Sequence, residues 1–261
     1  VLLAFEGLSI LSLLLQKKRI PVVIWIQMVI TFAAFVILFM APGNDVRVAS
    51  EIATWMPGYK ELSVGKHLFM TIQWMLSSFA NEGKAFFIAI WVAGFLLLMK
   101  SEKAKAYQIL AVVFSVAAIL PYVGITFFSE MGIGDIDIEQ CLMELPTWQS
   151  MTTQNRIAFF WWIAAVLFTL VLLWKVTGHS VFISMVFLGG IASEAVLYFS
   201  PTIYASGARV YYLTDLMYLF IILWMVMHMD SEKKKNLFIA GVVVLGVANF
   251  LSQYSIMLLK L

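Results

Sequence analysis

Eight long apolar stretches, separated by short polar segments, are the feature that most constrains this chain of 261 residues. They lie at about 1–16, 20–41, 85–99, 109–128, 158–174, 181–200, 213–229 and 237–258. A helix of roughly 20 apolar residues crosses the ~30 Å hydrocarbon core of a bilayer. Because 62% of the residues are hydrophobic and 12% are charged, the composition also differs strongly from that of a water-soluble domain. The sequence therefore predicts an all-α integral membrane protein with about eight transmembrane helices.

A further apolar run, from Leu68 to Ala80, is too short to cross a bilayer and precedes the polar residues Asn81 and Glu82. We interpret it as one interfacial or re-entrant helix. The chain begins at Val1 with neither an initiator methionine nor a basic leader, so the sequence is interpreted as a fragment of a longer chain. Since no linker or repeat divides it, we predict a single polytopic transmembrane domain over residues 1–261.

The charged residues divide the predicted loops into two sets. Ten of the 17 lysines and arginines lie in four short loops, at 17–19, 100–105, 175 and 233–235. The remaining loops are longer and mostly acidic, and they lie at about 42–84, 129–157 and 201–212. By the positive-inside rule, the basic loops face the cytoplasm and the acidic loops face outward. The predicted location is therefore the plasma membrane, or inner membrane, with multiple passes.

The same composition argues against several classes of function. A net charge of +2 is too small for the dense basic surface that nucleic-acid binding requires. One cysteine, Cys141, and three histidines argue against a Cys/His metal site. We therefore predict no resident cofactor, and a divalent cation stays an open alternative.

Polar residues concentrate at the outward ends of the apolar stretches, and the first such place is residues 41–47. Pro42 and Gly43 favour a sharp turn, which presents Asn44, Asp45 and Arg47 to the aqueous side. An arginine in this position can bind a phosphate through its planar guanidinium. The alternative is an ordinary helix end followed by solvated polar residues.

Two further positions lie in or beside the stretch 181–200. After Pro201 a short outward segment contains a single cation, Arg209, against the positive-inside trend. Glu194 lies inside the apolar stretch, where an ionisable group costs ~2.5 kcal/mol or more and usually faces a cavity or a partner charge. Arg47 and Arg209 are candidate partners for it. The alternative is a protonated or water-reaching glutamate that only orients helices.

The outward segment 131–156 contains alternating carboxylates, among them Asp135 and Asp137. In an extended chain these side chains share one face, where they can hold a divalent cation or act as a base. The alternative, which we favour, is a solvated loop.

Two short motifs carry a resemblance to a known family: Ala-Pro-Gly-Asn-x-x-Arg at 41–47, and Ser-Pro followed by an arginine at 200–209. The chain resembles an uncharacterised family of polytopic bacterial proteins related to the serotype-converting glucosyltransferases that modify O-antigen. These look like members of the C superfamily of glycosyltransferases. The resemblance covers most of the chain as a pattern of apolar stretches and about 17 residues as motif.

The resemblance implies a sugar donor linked to polyprenyl phosphate and an acceptor glycan or lipid of the cell envelope. Asn44, Arg47 and Arg209 then bind the donor phosphate, and a carboxylate on an early outward loop acts as the base. The expected acidic position lies upstream of Val1, so Asp45 is the nearest substitute. Glu194, Asp135 and Asp137 take supporting roles.

Two alternatives stay open beside this hexosyltransferase hypothesis. A polysaccharide polymerase or ligase also holds a lipid phosphate with outward arginines. A membrane transporter or flippase needs polar groups that continue through the membrane centre, where Glu194 is nearly alone. We therefore rank transport below transfer.

Overall fold

The computed structural model describes residues 2–41, 43–56, 58–123, 148–149, 151–178, 181–197 and 211–259. Within these ranges the chain is helical and contains no strand, which confirms the all-α part of the prediction. The α-helices of the described ranges are α1 (Leu2–Leu15), α2 (Val22–Phe39), α3 (Asn44–Trp55), α4 (Val64–Asn81), α5 (Lys84–Leu98), α6 (Lys105–Ile119), α7 (Thr153–Val176), α8 (Val181–Leu197), α9 (Tyr212–Met227) and α10 (Glu232–Leu259). Short 3-10 turns lie at Tyr59–Glu61, Glu102–Ala104 and Leu120–Val123.

The predicted number of membrane spans is wrong. Among the described residues, one segment of α7, Asn155–Val176, is long and apolar enough to cross a bilayer. The number rises to two if α4 and α5, which bend by 70° at a two-residue break, count as one broken span. The prediction of about eight transmembrane helices is thereby overturned, and so is the predicted multi-pass location in the plasma membrane.

Helix length is the physical reason for this correction at five of the eight apolar stretches. A helix lies at each of the eight apolar stretches, but several of these helices contain only 14 to 17 residues. At 1.5 Å of rise per residue they are about 21 to 26 Å long, which is shorter than the ~30 Å hydrocarbon core. α1 illustrates how such a helix ends, because Lys17 adopts a left-handed φ of 53° and the Lys18 N–H donates back to the Leu13 carbonyl at 2.9 Å.

The described residues fall into two compact units. Unit 1 is drawn from residues 1–75, 133–151 and 180–217. In this unit α1 packs against α2 and α8. A second part of the unit is a buried cluster of Met56, Met70 and Trp74, which joins the end of α3 to α4.

Unit 2 is drawn from residues 76–132, 152–179 and 218–261, and α5 lies at its centre against α6, α7 and α10. Its core is aromatic: Trp91 and Trp162 are fully buried and stacked with ring centroids 6.5 Å apart. The Trp91 indole N–H donates to the Thr169 hydroxyl at 2.7 Å, so the polar edge of this ring is satisfied within the core. Gly94 of α5 faces Leu172 of α7, and the missing side chain lets these two helices approach closely.

The first turn of α10 is tied to the end of α5 by polar contacts. Lys234 Nζ donates to the Leu96 carbonyl at 2.8 Å and also pairs with Asp230 at 3.0 Å. Asp230 in turn accepts from Lys100 at 2.7 Å. These contacts set the position of α10 along α5.

Candidate functional site

The turn of the first sequence motif, at residues 41–47, is the start of a helix in the structure. Gly43 has a φ of 86° and is the N-cap residue of α3, and its carbonyl accepts the Arg47 N–H at 2.9 Å. In an α-helix the N–H groups before this first bond have no intrahelical acceptor, and a glycine has no side chain with which to cap them. Residues 44–46 therefore present backbone donors at the positive end of the helix dipole.

Arg47 extends from this first turn into solvent, with 76% of its side chain exposed. Its Nε donates to the Glu51 carboxylate at 2.7 Å, one helical turn further on. An exposed pair of this kind contributes about 0–1 kcal/mol, so Glu51 orients the guanidinium without holding it tightly. The bond uses only the Nε–H, and a guanidinium carries further N–H donors in a planar fork that suits a phosphate.

The other end of α3 is anchored in unit 1. Ile52 and Met56 are buried, whereas residues 45–50 are exposed. The cluster that receives Met56 also contains Leu197 at the end of α8 and Tyr211 just before α9. Because Arg47 precedes Met56 by nine residues, it lies about 14 Å along the helix axis from this anchor. The first turn of α3 is thus exposed and charged, whereas the last turn of this helix is held by buried residues.

A second polar set lies where α8 and α9 meet in unit 1. The Ser193 and Thr214 hydroxyls lie 2.8 Å apart, and both reach the Gly190 carbonyl, at 2.9 Å and 3.1 Å. Glu194 follows Ser193 on α8 and is 2% exposed. Asp215 follows Thr214 on α9, and its partial burial raises the pKa of its carboxyl. Each of these two hydroxyl residues is thus followed in the sequence by an acidic residue, one on α8 and one on α9.

Sequence reasoning missed two acidic residues of unit 1, Asp215 and Glu6. Asp215 was not singled out, because its relation to Ser193 and Glu194 depends on the packing of α8 beside α9. Glu6 was also missed, although it lies within an apolar stretch, the same signal that identified Glu194. It is 8% exposed on α1, which packs against α8, and it accepts a hydrogen bond from the Thr31 hydroxyl at 2.8 Å.

The structure brings only part of the predicted site together. Asn44 and Asp45 share the first turn of α3 with Arg47, as the motif requires. The ion pair that the structure shows for Arg47 is with Glu51, not with Glu194. Arg209, Asp135 and Asp137 lie outside the residues that the structure describes. Within the described part of the chain, no three histidine, cysteine or carboxylate side chains form a group that could hold a metal ion.

Comparison with known proteins adds no relative. No protein family, curated protein or solved structure matches the chain. The relation to the C superfamily of glycosyltransferases therefore stays a prediction from the two motifs.

Proposed function

We propose that this chain is a glycosyltransferase that moves a sugar from a polyprenyl-phosphate donor to a glycan or lipid acceptor. The observation that supports it most is the exposed guanidinium of Arg47 beside the open first turn of α3. In the proposal the backbone N–H groups of this turn and the arginine fork bind the donor phosphate together. Arg209, as the second cation of the motif, completes the donor site in this proposal.

The proposed reaction requires positive charge beside the phosphate of the donor, which is the leaving group. The acceptor hydroxyl oxygen attacks the anomeric carbon, the bond from that carbon to the phosphate oxygen breaks, and polyprenyl phosphate departs with the electron pair. Arg47 and the amides of the α3 turn stabilise the charge that develops on that phosphate oxygen. In the proposal these donors of the chain meet the developing charge, and a divalent cation stays an open alternative.

The proton of the acceptor hydroxyl has to pass to a base, and the chain offers two candidates. Asp45 lies on the same helical turn as Arg47 and is exposed. Asp215 is half-buried, and burial raises the pKa of its carboxyl. A base works best when its pKa approaches the working pH, and the raised pKa of Asp215 suits that role. In the proposal Glu194 is a supporting residue that positions the α8 side of this set.

The test is a transfer assay on the full chain in lipid vesicles, with radiolabelled polyprenyl-phosphate hexoses as donors and an envelope glycan extract as acceptor. We expect Arg47→Ala to lower transfer about 10- to 100-fold, since a hydrogen bond to a charged group contributes roughly 1.5–3 kcal/mol. Arg47→Lys keeps the charge without the fork and should recover part of the activity. Lys60→Ala removes another exposed cation of unit 1 and is the matched control.

Equal activity of Arg47→Ala and Lys60→Ala with every active donor would refute the assignment of Arg47. The length of the product separates the two enzyme hypotheses, because a transferase adds one sugar whereas a polymerase extends a chain. Asp45→Asn and Asp215→Asn, compared over a range of pH, identify the base: the variant of the true base loses the acid limb of the rate profile. Circular dichroism of each variant checks that the helical content of the chain is unchanged.

A further inference from the structure

The lysines of unit 2 gather at one end of its helices. α5 ends at Leu98, and the 3-10 turn Glu102–Ala104 connects it to the start of α6, so these two helix ends lie side by side. α10 begins at the same place, because Lys234 in its first turn donates to the Leu96 carbonyl at 2.8 Å. Three helices of unit 2 therefore share one end.

α7 runs in the same direction as α5, so its last turn also lies at this end. The rings of Phe87 on α5 and Trp162 on α7 have centroids 5.7 Å apart. Further along both helices, Gly94 of α5 faces Leu172 of α7. The residue numbers of the two helices thus increase together, and Lys175 follows Leu172 toward the end of α5.

We call residues 100–105, 175 and 230–235 the basic end of unit 2. It contains seven lysines and three carboxylates, which is a net charge of +4. The carboxylates all form ion pairs: Asp230 with Lys100 and Lys234, Glu102 with Lys105, and Glu232 with Lys235. Within the described part of the chain, no side-chain ion pair forms at Lys103, Lys175 or Lys233. Three positive charges, each from a different element, are therefore available to anions at one end of the unit.

The sides of unit 2 beside the basic end are apolar and exposed. α6 over residues 106–119, α7 over 157–174 and α10 over 236–259 contain no charged residue. Each of these helices exposes apolar side chains two turns apart on one face: Ile109 and Val116, Leu167 and Trp174, and Leu237 and Val244. On each helix the apolar face begins within about 6 Å of rise from the basic end. A cluster of cations is thus followed directly by charge-free surface on three helices.

This order of charge and apolar surface matches one leaflet of a bilayer. Anionic headgroups lie at the surface of the leaflet and the acyl chains lie directly below them. A nucleic acid or an acidic peptide would meet the lysines but would leave the exposed apolar faces in water. Trp174 stands beside Lys175, at the boundary where tryptophan is enriched in membrane interfaces. The combination therefore favours lipid over the other polyanions.

We propose that the basic end of unit 2 binds the headgroups of an anionic lipid surface, and that the charge-free faces of α6, α7 and α10 contact the acyl chains. Lys103, Lys175 and Lys233 bind the headgroup phosphates. Each lysine near such a surface strengthens binding roughly 5-fold. None of these residues belongs to the proposed phosphate site at Arg47, so failure of one proposal leaves the other intact.

The test is fluorescence quenching of the purified full chain in nanodiscs of phosphatidylcholine and phosphatidylglycerol, in which either one or the other lipid carries brominated acyl chains. Bromine quenches tryptophan on contact, and the signal of Trp174 is the difference between the chain and its Trp174→Phe variant. We expect phosphatidylglycerol to be preferred over phosphatidylcholine by about 10-fold or more. The preference should shrink as the salt concentration rises from about 0.1 M to about 1 M, because the screening length falls from about 10 Å to about 3 Å. Equal quenching by the two lipids, or no quenching of Trp174, would overturn the proposal.

Matched variants test the three lysines. We expect the triple variant Lys103→Gln, Lys175→Gln and Lys233→Gln to lose the preference, and the corresponding triple arginine variant, which keeps the charge, to retain it. The control is the triple variant Lys18→Gln, Lys60→Gln and Lys66→Gln, which removes three exposed lysines of unit 1 and the same net charge. Its preference for phosphatidylglycerol should be unchanged. Equal lipid preference of the two glutamine variants contradicts the proposal.

Two further measurements distinguish lipid from other occupants of the basic end. Inorganic phosphate should reduce the preference no more than sodium chloride at the same ionic strength, and a stronger effect would identify a site for free phosphate instead. The size of the chain in detergent should be the same for both glutamine variants. A smaller assembly for the Lys103, Lys175 and Lys233 variant, with an unchanged lipid preference, would identify the basic end as a contact between copies of the chain and overturn the proposal.

Discussion

The close approach of α5 and α7 at Gly94 makes a quantitative prediction about packing in unit 2. A Cβ at position 94 would lie 2.7 Å from Leu172 Cδ2 and 3.0 Å from Leu172 Cγ. Real Cβ atoms essentially never approach other heavy atoms so closely. Leu172 is fully buried, so its side chain has no solvent-facing rotamer to which it can turn. Gly94→Ala should therefore strain this helix pair.

The expected magnitude combines two opposing effects. Forcing an extra methyl into a packed core costs about 1–3 kcal/mol. Replacing a helical glycine by alanine contributes about 1 kcal/mol in the opposite direction. We therefore expect Gly94→Ala to lower the free energy of unfolding by about 0–2 kcal/mol. Gly246→Ala, where a Cβ meets nothing within 4 Å, should raise it by up to about 1 kcal/mol.

The measurement is urea unfolding of the purified chain, followed by tryptophan fluorescence. Five of the nine tryptophans, with Trp91 and Trp162 among them, lie in unit 2, so a large part of the emission comes from the region that contains the substitution. The difference between Gly94→Ala and Gly246→Ala removes the common propensity effect and isolates the contact with Leu172. That difference should be about 1–3 kcal/mol.

A double-mutant cycle locates the strain. Leu172→Ala alone should cost about 2–5 kcal/mol, because it leaves a cavity in the core. In the double variant the new methyl at position 94 enters the vacated space, so the combined loss should be smaller than the sum by about 1–3 kcal/mol. Additivity within about 0.5 kcal/mol, or equal stability of Gly94→Ala and Gly246→Ala, would refute the reasoning.

Two further predictions concern polar groups of unit 2. Thr169→Val removes the acceptor of the buried Trp91 N–H and should lower the free energy of unfolding by roughly 1–3 kcal/mol. Thr169→Ser keeps a hydroxyl and should lower it by less. The same urea experiment contradicts this prediction if the valine variant is more stable than the serine variant. Hydrogen bonds from Lys100 and Lys234 lower the pKa of Asp230 to about 2, below the ordinary value of 3.8. Because the folded-state pKa is the lower one, its stabilising effect is present above pH 3.8 and is lost as the pH falls from 3.8 to about 2. Asp230→Asn should remove this part of the acid sensitivity, and unchanged acid unfolding profiles would count against the ion pairs.

Hydropathy predicted where most helices lie but not what they span. The apolar stretch 213–229 is the helix Tyr212–Met227, and the stretch 181–200 contains Val181–Leu197. An apolar run reports which residues avoid water, whereas the length of a helix depends on local signals that end it, such as the left-handed Lys17 after α1. The predicted number of spans was wrong because the length of an apolar run was taken as the length of a helix.

α3 was predicted as a turn followed by a loop, since its mean hydropathy is low. Only Ile52 and Met56 are buried there, four residues apart, and this spacing holds one face of a helix against the unit 1 cluster. The predicted importance of Arg47 came from its place after the turn at residues 42–43 and from the motif. Its pairing with Glu51 is specific to a helix and is invisible when the segment is interpreted as a loop.

The set at α8 and α9 was beyond sequence reasoning for a different reason. Ser193 and Thr214 are separated by 21 residues, and their contact exists only because two helices with no polar periodicity pack side by side. Glu194 was identified because a charge in an apolar stretch is conspicuous by itself. Asp215 stands at the edge of such a stretch, where a carboxylate looks ordinary until burial raises its pKa.

The polar contacts between α5 and the first turn of α10 clamp α10 at one end. Lys234 binds a backbone carbonyl in a fixed direction, whereas the contacts that α10 makes further along, beside Gly241 and Leu245, are apolar and non-directional. A rotation of about 5° at the clamp would move Ala248, about 21 Å further along the helix, by roughly 2 Å. A small rotation of α10 would therefore change its packing against α5 most at the end remote from Lys234.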